Sequence, residues 1–242
     1  DSITSFLDPA ISAVGHRPLP QASHLEGGSE TDRLAATYLQ TLLDGDRTSA
    51  VELVTNAVDD GMPIKTVYLG IFQPVQYEIG RLWHLGELTV AQEHFCTAVT
   101  QWVMSRLYPM VFTHSGRDKR LVAACVSGDL HEIGLRMVAD LLELDGWNTC
   151  YLGANVPIRG IVETVTKERA QILALSATMG FHLGPLTQVI ELLREDPALA
   201  NVKILVGGRP FLIEPSLVQA INADAMASNA EEAISIANDL LG

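Results

Sequence analysis

Between residues 29 and 113 the apolar positions recur at three- and four-residue spacing, the period of a helix with one buried face. Leu34, Tyr38, Leu39, Leu42 and Leu43 mark a first helix that opens at Ser29-Glu-Thr-Asp32 and stops at Asp44-Gly-Asp46. A second runs from Arg47 to about Asp60 on Val51, Leu53, Val54 and Val58, and Gly61 closes it. Pro63 opens a third at a first-turn position, and the pattern continues through Ile71, Phe72, Val75 and Ile79 to Trp83, with Pro74 the expected kink. After Gly86-Glu87, Thr89 and Gln92 have the spacing of a capping box for a fourth helix, which carries Val90, His94, Phe95, Val99, Trp102, Val103 and Leu107 and ends near Pro109. Trp102, Tyr77 and Tyr108 read as core or interface aromatics. Short connections make this an antiparallel four-helix bundle.

At Arg120 the pattern changes. Short, β-branched apolar runs predict strands at Leu121–Val126, Asn148–Leu152, Ile172–Ser176, Lys203–Val206 and Ala223–Ala227. Helical patterns follow each of them, at Gly134–Leu144, Ile158–Glu168, Leu183–Arg194, Pro215–Ala220 and Ala230–Leu241. Five such units predict a flavodoxin-like, Rossmann-type parallel sheet in the order 2-1-3-4-5. The expected organisation is a Pro- and Gly-containing leader over 1–28, a bundle over 29–113, a polar linker over 114–119 and an α/β domain over 120–242.

Composition narrows the function. The chain is 48% hydrophobic and 19% charged, with a formal charge of −13. That charge repels phosphate backbones and anionic membrane, and no Lys/Arg stripe reverses it locally. No apolar run is long enough to span a bilayer, and no basic-start signal peptide is visible. Three widely spaced cysteines, Cys96, Cys125 and Cys150, match neither a zinc pattern nor a disulfide framework, which fits a reducing cytoplasm.

The densest candidate chemistry follows the first predicted strand, in Ser127-Gly-Asp129-Leu-His131-Glu-Ile-Gly134. His131 lies on a loop leaving the carboxyl end of a strand, where open α/β sheets bind ligands. An imidazole there can hold a metal through one nitrogen while a carboxylate two residues earlier takes the proton of the other. Gly134 lets the backbone approach something bulky. Asp-x-His-x-x-Gly in this setting resembles the cobalamin-binding signature of methionine synthase, B12-dependent mutases, corrinoid carriers and B12 photoreceptors. Ser176-Ala-Thr178 after the third strand and Gly207-Gly208 after the fourth match that signature's later elements. The resemblance implies His131 as the lower axial ligand of cobalt, Asp129 fixing its tautomer, and a slot for the displaced nucleotide tail beside Ser127, Ser176 and Thr178, kept open by Gly207 and Gly208. His182 could reach a ligand or simply start a helix, and Arg209 faces cofactor or solvent.

The bundle holds a second constellation. Trp83-His84 is followed, ten residues after Trp83 with nine intervening, by Glu93-His94. Singly, each has an ordinary reading: a core indole, a solvated pair, a histidine at a helix end. Together the spacing resembles the motif of photoreceptors that use adenosylcobalamin as chromophore. In that family the Trp covers the upper face of the corrin, the Glu and His help hold the adenosyl group, and the His beside the Trp takes cobalt after light breaks the cobalt–carbon bond. The resemblance implies adenosylcobalamin bound between bundle and α/β domain, a light-driven change in oligomer state or in contact with a signalling partner, and no enzymatic reaction. That family's amino-terminal DNA-binding domain has no counterpart here. Some stand-alone relatives, the photocobilins, also hold a bilin, so biliverdin is carried as a second expected chromophore. The rival expectation is a corrinoid methyl carrier of a methyltransferase system. A mutase B12 domain and a flavodoxin-like module without corrin are more distant rivals.

Overall fold

The computed structural model describes residues 22–25, 27–111 and 118–242. The expected leader, with His16, and most of the expected linker lie outside the described residues. The described residues fall into two compact units, one of helices and one of alternating strands and helices.

In the helical unit, α1 (Glu30–Leu43) opens on a capping box in which Ser29 and Asp32 exchange backbone-to-side-chain bonds of 2.9 and 3.1 Å. Its buried face is Ala35, Tyr38 and Leu42. The side chain of Asp46 caps α2 (Arg47–Asp59) by accepting from the Ser49 N–H at 3.0 Å. The third helix, α3, is continuous but not uniform: Ile64–Val67 and Gln73–His84 are α-helical and Tyr68–Phe72 between them is a π turn. Pro63 sits just before it, as its N-cap. The π turn replaces the kink expected at Pro74. Proline has no N–H for the carbonyl four residues back, and its ring crowds that carbonyl. A widened turn ahead of it absorbs both demands. Gly70 lies in that turn, where an added Cβ would fall 2.6 Å from the Thr31 methyl, so α1 and α3 approach closely there.

Thr89 and Gln92 form the expected capping box of α4 (Val90–Val111). This helix runs through Pro109 instead of ending there, because so near its end the missing N–H removes a single bond. The buried Thr100 hydroxyl donates to the Cys96 carbonyl at 2.9 Å, so it accepts from Tyr38 Oη at 3.1 Å and Gln76 Nε2 at 2.9 Å. That node ties three helices together. Trp102, Tyr77 and Tyr108 do not join the core: each is between 44% and 47% exposed. Arg47 stacks its guanidinium 5.0 Å above the Trp102 ring.

The second unit has the predicted parallel order β2-β1-β3-β4-β5. Its strands are β1 (Arg120–Cys125), β2 (Asn148–Tyr151), β3 (Ile172–Ser176), β4 (Lys203–Gly207) and β5 (Ala225–Ala227). Alternate residues serve opposite faces. Val122, Ala124, Leu173, Leu175, Ile204 and Val206 pack with α6 (Ile158–Glu168) and α7 (Leu183–Glu195). Leu121, Ala123, Cys125, Ile172, Ala174 and Leu205 pack with α5 (Ile133–Leu144) and α10 (Ala230–Leu241). The faces follow from the handedness of parallel crossovers. The chain leaves β1 toward β2 over one face and returns past β1 to β3 over the other. Between β4 and β5 it makes two short helices, α8 (Arg209–Ile213), which the periodicity did not predict, and α9 (Leu217–Ala220). The reversal leaves a switch point between the carboxyl ends of β1 and β3.

Glu78 of the helical unit generates a pH-dependent prediction. The Arg81 guanidinium, at 2.6 and 3.0 Å, holds its carboxyl down to about 2, against the opposing effect of burial and with help from the His24 N–H at 2.9 Å. A depressed folded pKa stabilises above the ordinary value near 4.5 and is lost as pH falls toward about 2. Glu78→Gln is expected to cost on the order of 2–3 kcal/mol at neutral pH and to flatten the loss of stability over that acid window, read by urea denaturation followed by circular dichroism.

Candidate functional site

The loop after β1 and the loop after β3 meet at the switch point through one side chain. Asp129 is fully buried. Its Oδ1 accepts from the His131 backbone N–H at 3.0 Å and lies 2.8 Å from His131 Nδ1. Its Oδ2 accepts from the Thr178 N–H at 2.8 Å. Burial alone would raise this carboxyl, but the His131 hydrogen bonds and the nearby His182 ring outweigh it and hold the group below the ordinary carboxylate range. An ionised acceptor fixes the proton of His131 on Nδ1, which makes Nε2 the metal-binding nitrogen. The His131 side chain is 60% exposed, so this pre-set ring stands at the surface of its unit.

The rest of the loop is built to keep Asp129 in place. Gly128 adopts φ +88°, a left-handed conformation suited to glycine, and donates its N–H to Asn155 Oδ1 at 2.8 Å. Asn155, itself at φ +51°, returns its own N–H to the Asp129 carbonyl at 2.9 Å. Sequence reasoning passed over Asn155. Its signal was an Asn two residues after Gly153, since Asn tolerates the left-handed region better than most residues. Tyr151, on β2, donates to Glu132 beside His131 at 2.8 Å.

Other expected residues divide. Ser176, the last residue of β3, and Thr178, just beyond it, are both half-buried. Ser127 donates its hydroxyl to the Val156 carbonyl at 3.1 Å, so its proton serves the fold rather than a ligand. An added Cβ at Gly134 would meet nothing within 4 Å, which leaves the start of α5 open to close approach. Gly208 needs correction. Its missing side chain does not hold a slot open, because a Cβ there would fall 2.0 Å from the Ala177 carbonyl oxygen, and φ is +106°. The glycine admits the neighbouring strand's backbone. At Gly207 the nearest atom to an added Cβ is 3.6 Å away, an ordinary contact. His182, left undecided by sequence, is buried beside Asp129, with Nδ1 3.3 Å from Oδ2.

In the helical unit, α3 ends in Trp83-His84 and α4 begins three residues before Glu93-His94, so the hairpin brings all four residues to one end. Trp83 is 47% exposed. Glu93 Oε2 lies 2.6 Å from His94 Nδ1, and its other oxygen accepts from Thr97 at 2.9 Å.

Residues 119–237 match a family model described as a B12 binding domain, and residues 34–108 match a second with the same description. Fold and matches together define the class, a B12-binding protein. Dimethylamine corrinoid protein 1 of Methanosarcina acetivorans is 37% identical over 166 residues, covering 68% of this chain and 77% of that protein. A corrinoid protein of Desulfitobacterium hafniense is 27% identical over 208 residues, covering 84% and 95%. The monomethylamine corrinoid protein of Methanosarcina barkeri shares the fold, with a TM-score of 0.77 at 22% identity over 87% of this chain and 99% of that one. The chain belongs to the corrinoid protein family. Among the described residues no helix is long and apolar enough to cross a membrane.

The donor set fits a corrinoid: one surface imidazole with its proton position set by a buried anion, beside an open helix start. The two glycines predict opposite outcomes. Gly208→Ala is expected to lower stability of the α/β unit by about 1–3 kcal/mol from backbone strain and clash. Gly207→Ala is expected to change it by less than about 0.5 kcal/mol. Urea denaturation of the two variants side by side makes the comparison.

Proposed function

We propose that this chain is a cobalamin-dependent light sensor that takes the adenosyl form of the cofactor. When bound, that cofactor supplies a cobalt–carbon bond that visible light breaks. His131 would hold the cobalt through Nε2, with Asp129 keeping the proton on Nδ1. Trp83, Glu93 and His94 would recognise the adenosyl group, the indole by its apolar face and the carboxylate and imidazole by hydrogen bonds. His84 would be a further imidazole available to hold the cobalt. The output would be a changed oligomer or a changed contact with a signalling protein.

One observation carries this reading. The α3–α4 hairpin presents Trp83, His84, Glu93 and His94 at one end, and the indole is 47% exposed. A half-exposed indole close in the hairpin to two imidazoles and a carboxylate offers a ligand both an apolar face and hydrogen-bonding groups. The expected bilin came from the resemblance to photocobilins; the relatives and family models give it no support, and it forms no part of the proposal.

A second reading is a methyl carrier serving a methyltransferase, and the relatives favour it. Those cited above are dimethylamine and other corrinoid proteins, and none bears the name of a light sensor. The light-sensing reading therefore stands on the Trp83 constellation alone.

Paired affinities separate the two. A light sensor is expected to bind adenosylcobalamin at least about tenfold more tightly than methylcobalamin, a difference of about 1.4 kcal/mol, and Trp83→Ala is expected to erase that preference while cobalamin still binds. Green light should change the visible spectrum of the adenosyl-loaded protein and its elution on size exclusion or its partner binding. Equal or methyl-favouring affinities, with no dependence on Trp83, would establish the carrier instead.

A further inference from the structure

Asp129 faces two imidazoles, not one. Besides His131 on Oδ1, the His182 ring stands with Nδ1 3.3 Å from Oδ2, and its side chain is only 3% exposed. The ring is at the end of a 3-10 turn, Gly180–His182, that leads directly into α7. Phe181, 66% exposed, turns outward from the same turn and meets the His182 ring edge-on with centroids 4.3 Å apart.

The same His182 nitrogen has a second neighbour. The Met179 backbone N–H points at Nδ1 from 3.2 Å. One ring nitrogen cannot accept from Met179 and donate to Asp129 at once. With its proton on Nε2, the ring accepts from Met179 and leaves Asp129 to His131. With its proton on Nδ1, the ring donates to Asp129, and two imidazoles then share one carboxylate. Nothing on the far side of the ring decides between these forms, because Nε2 is buried and has no hydrogen-bond partner among the described residues. The nearby position is Gly128, where even an added Cβ would remain 3.9 Å from Nε2.

We propose that His182 is a positioning residue for His131, acting through the shared carboxylate, and that its tautomer sets how strongly Asp129 holds the His131 proton. A carboxylate that receives one more N–H is a weaker acceptor for the others, since bonds in a buried network polarise one another. A weaker hold on Nδ1–H makes His131 Nε2 a weaker donor to a metal, because such partners tune a ligand's basicity. The proposal rests on the reading of His131 as a cobalt ligand. The coupling between the two rings does not need the cofactor to be present.

Two substitutions push the contest in opposite directions. His182→Phe removes both nitrogens and leaves Asp129 to His131; His182→Leu serves the same purpose should the phenyl ring prevent folding. His182→Asn places an amide near the Nδ1 position that can donate to Asp129 while accepting from Met179. In nitrogen-15 NMR of the apoprotein, the His131 Nδ1 proton should move downfield in His182→Phe and upfield in His182→Asn. In the protein loaded with cob(II)alamin, the nitrogen coupling from the lower imidazole in the electron paramagnetic resonance spectrum should rise in the first variant and fall in the second. A ring that merely fills space would move both variants the same way or neither, and either result overturns the proposal. His131→Ala keeps the two claims apart. If the wild-type spectrum has no lower-nitrogen coupling that His131→Ala removes, the ligation reading fails, and the apoprotein resonances still decide whether the rings are coupled.

Discussion

A single buried carboxylate, Asp129, organises the candidate site. Ionised and out of contact with water, it must be surrounded by donors, because an unpaired buried charge costs several kcal/mol. Its donors come from two loops that are distant in sequence: His131 from the loop after β1, Thr178 from the loop after β3. Satisfying the charge therefore closes the two loops onto each other, and it fixes the proton of His131 in the same act. The requirement that stabilises this corner of the fold also prepares an imidazole to bind a metal.

The sheet makes that meeting possible. A chain that runs outward from β1 to β2 and then back past β1 to β3 must separate the loops at the carboxyl ends of β1 and β3, which creates the crevice. Close packing elsewhere keeps it in register. Gly208 lets the β4 backbone lie against the Ala177 carbonyl, and Gly128 and Asn155 take left-handed conformations that aim the loop. These residues shape the site without offering a functional group to a ligand. The helical unit likewise holds polar groups inside, at Thr100 and Glu78, among buried rings of Tyr38, Tyr68 and Phe72. Trp83, Trp102 and Tyr108 are half-exposed, and Arg47 covers the Trp102 ring.

Much of this could be read from the chain alone. Four helices, five strands, their order, and a His on the loop after the first strand all follow from local periodicity and from the handedness of parallel crossovers. Such patterns are visible because each is set by residues within a few positions of one another. The π turn before Pro74 and the passage of α4 through Pro109 were not visible in the same way. Proline announces that something must yield, but neighbouring helices decide what yields.

The tertiary structure alone decided which polar groups meet. Asp129 lies 49 residues from Thr178 along the chain and bonds to it directly. His182 could be read as a ligand-reaching group or as a helix-start residue, and it stands against the same carboxylate. Gly208 looked like an opening and is instead a point of contact between strands. Periodicity fixes which face of an element is buried. It carries no information about which loop ends converge, because that depends on crossovers, sheet twist and the packing of whole helices, and those bring distant residues within hydrogen-bonding distance only once the chain has folded.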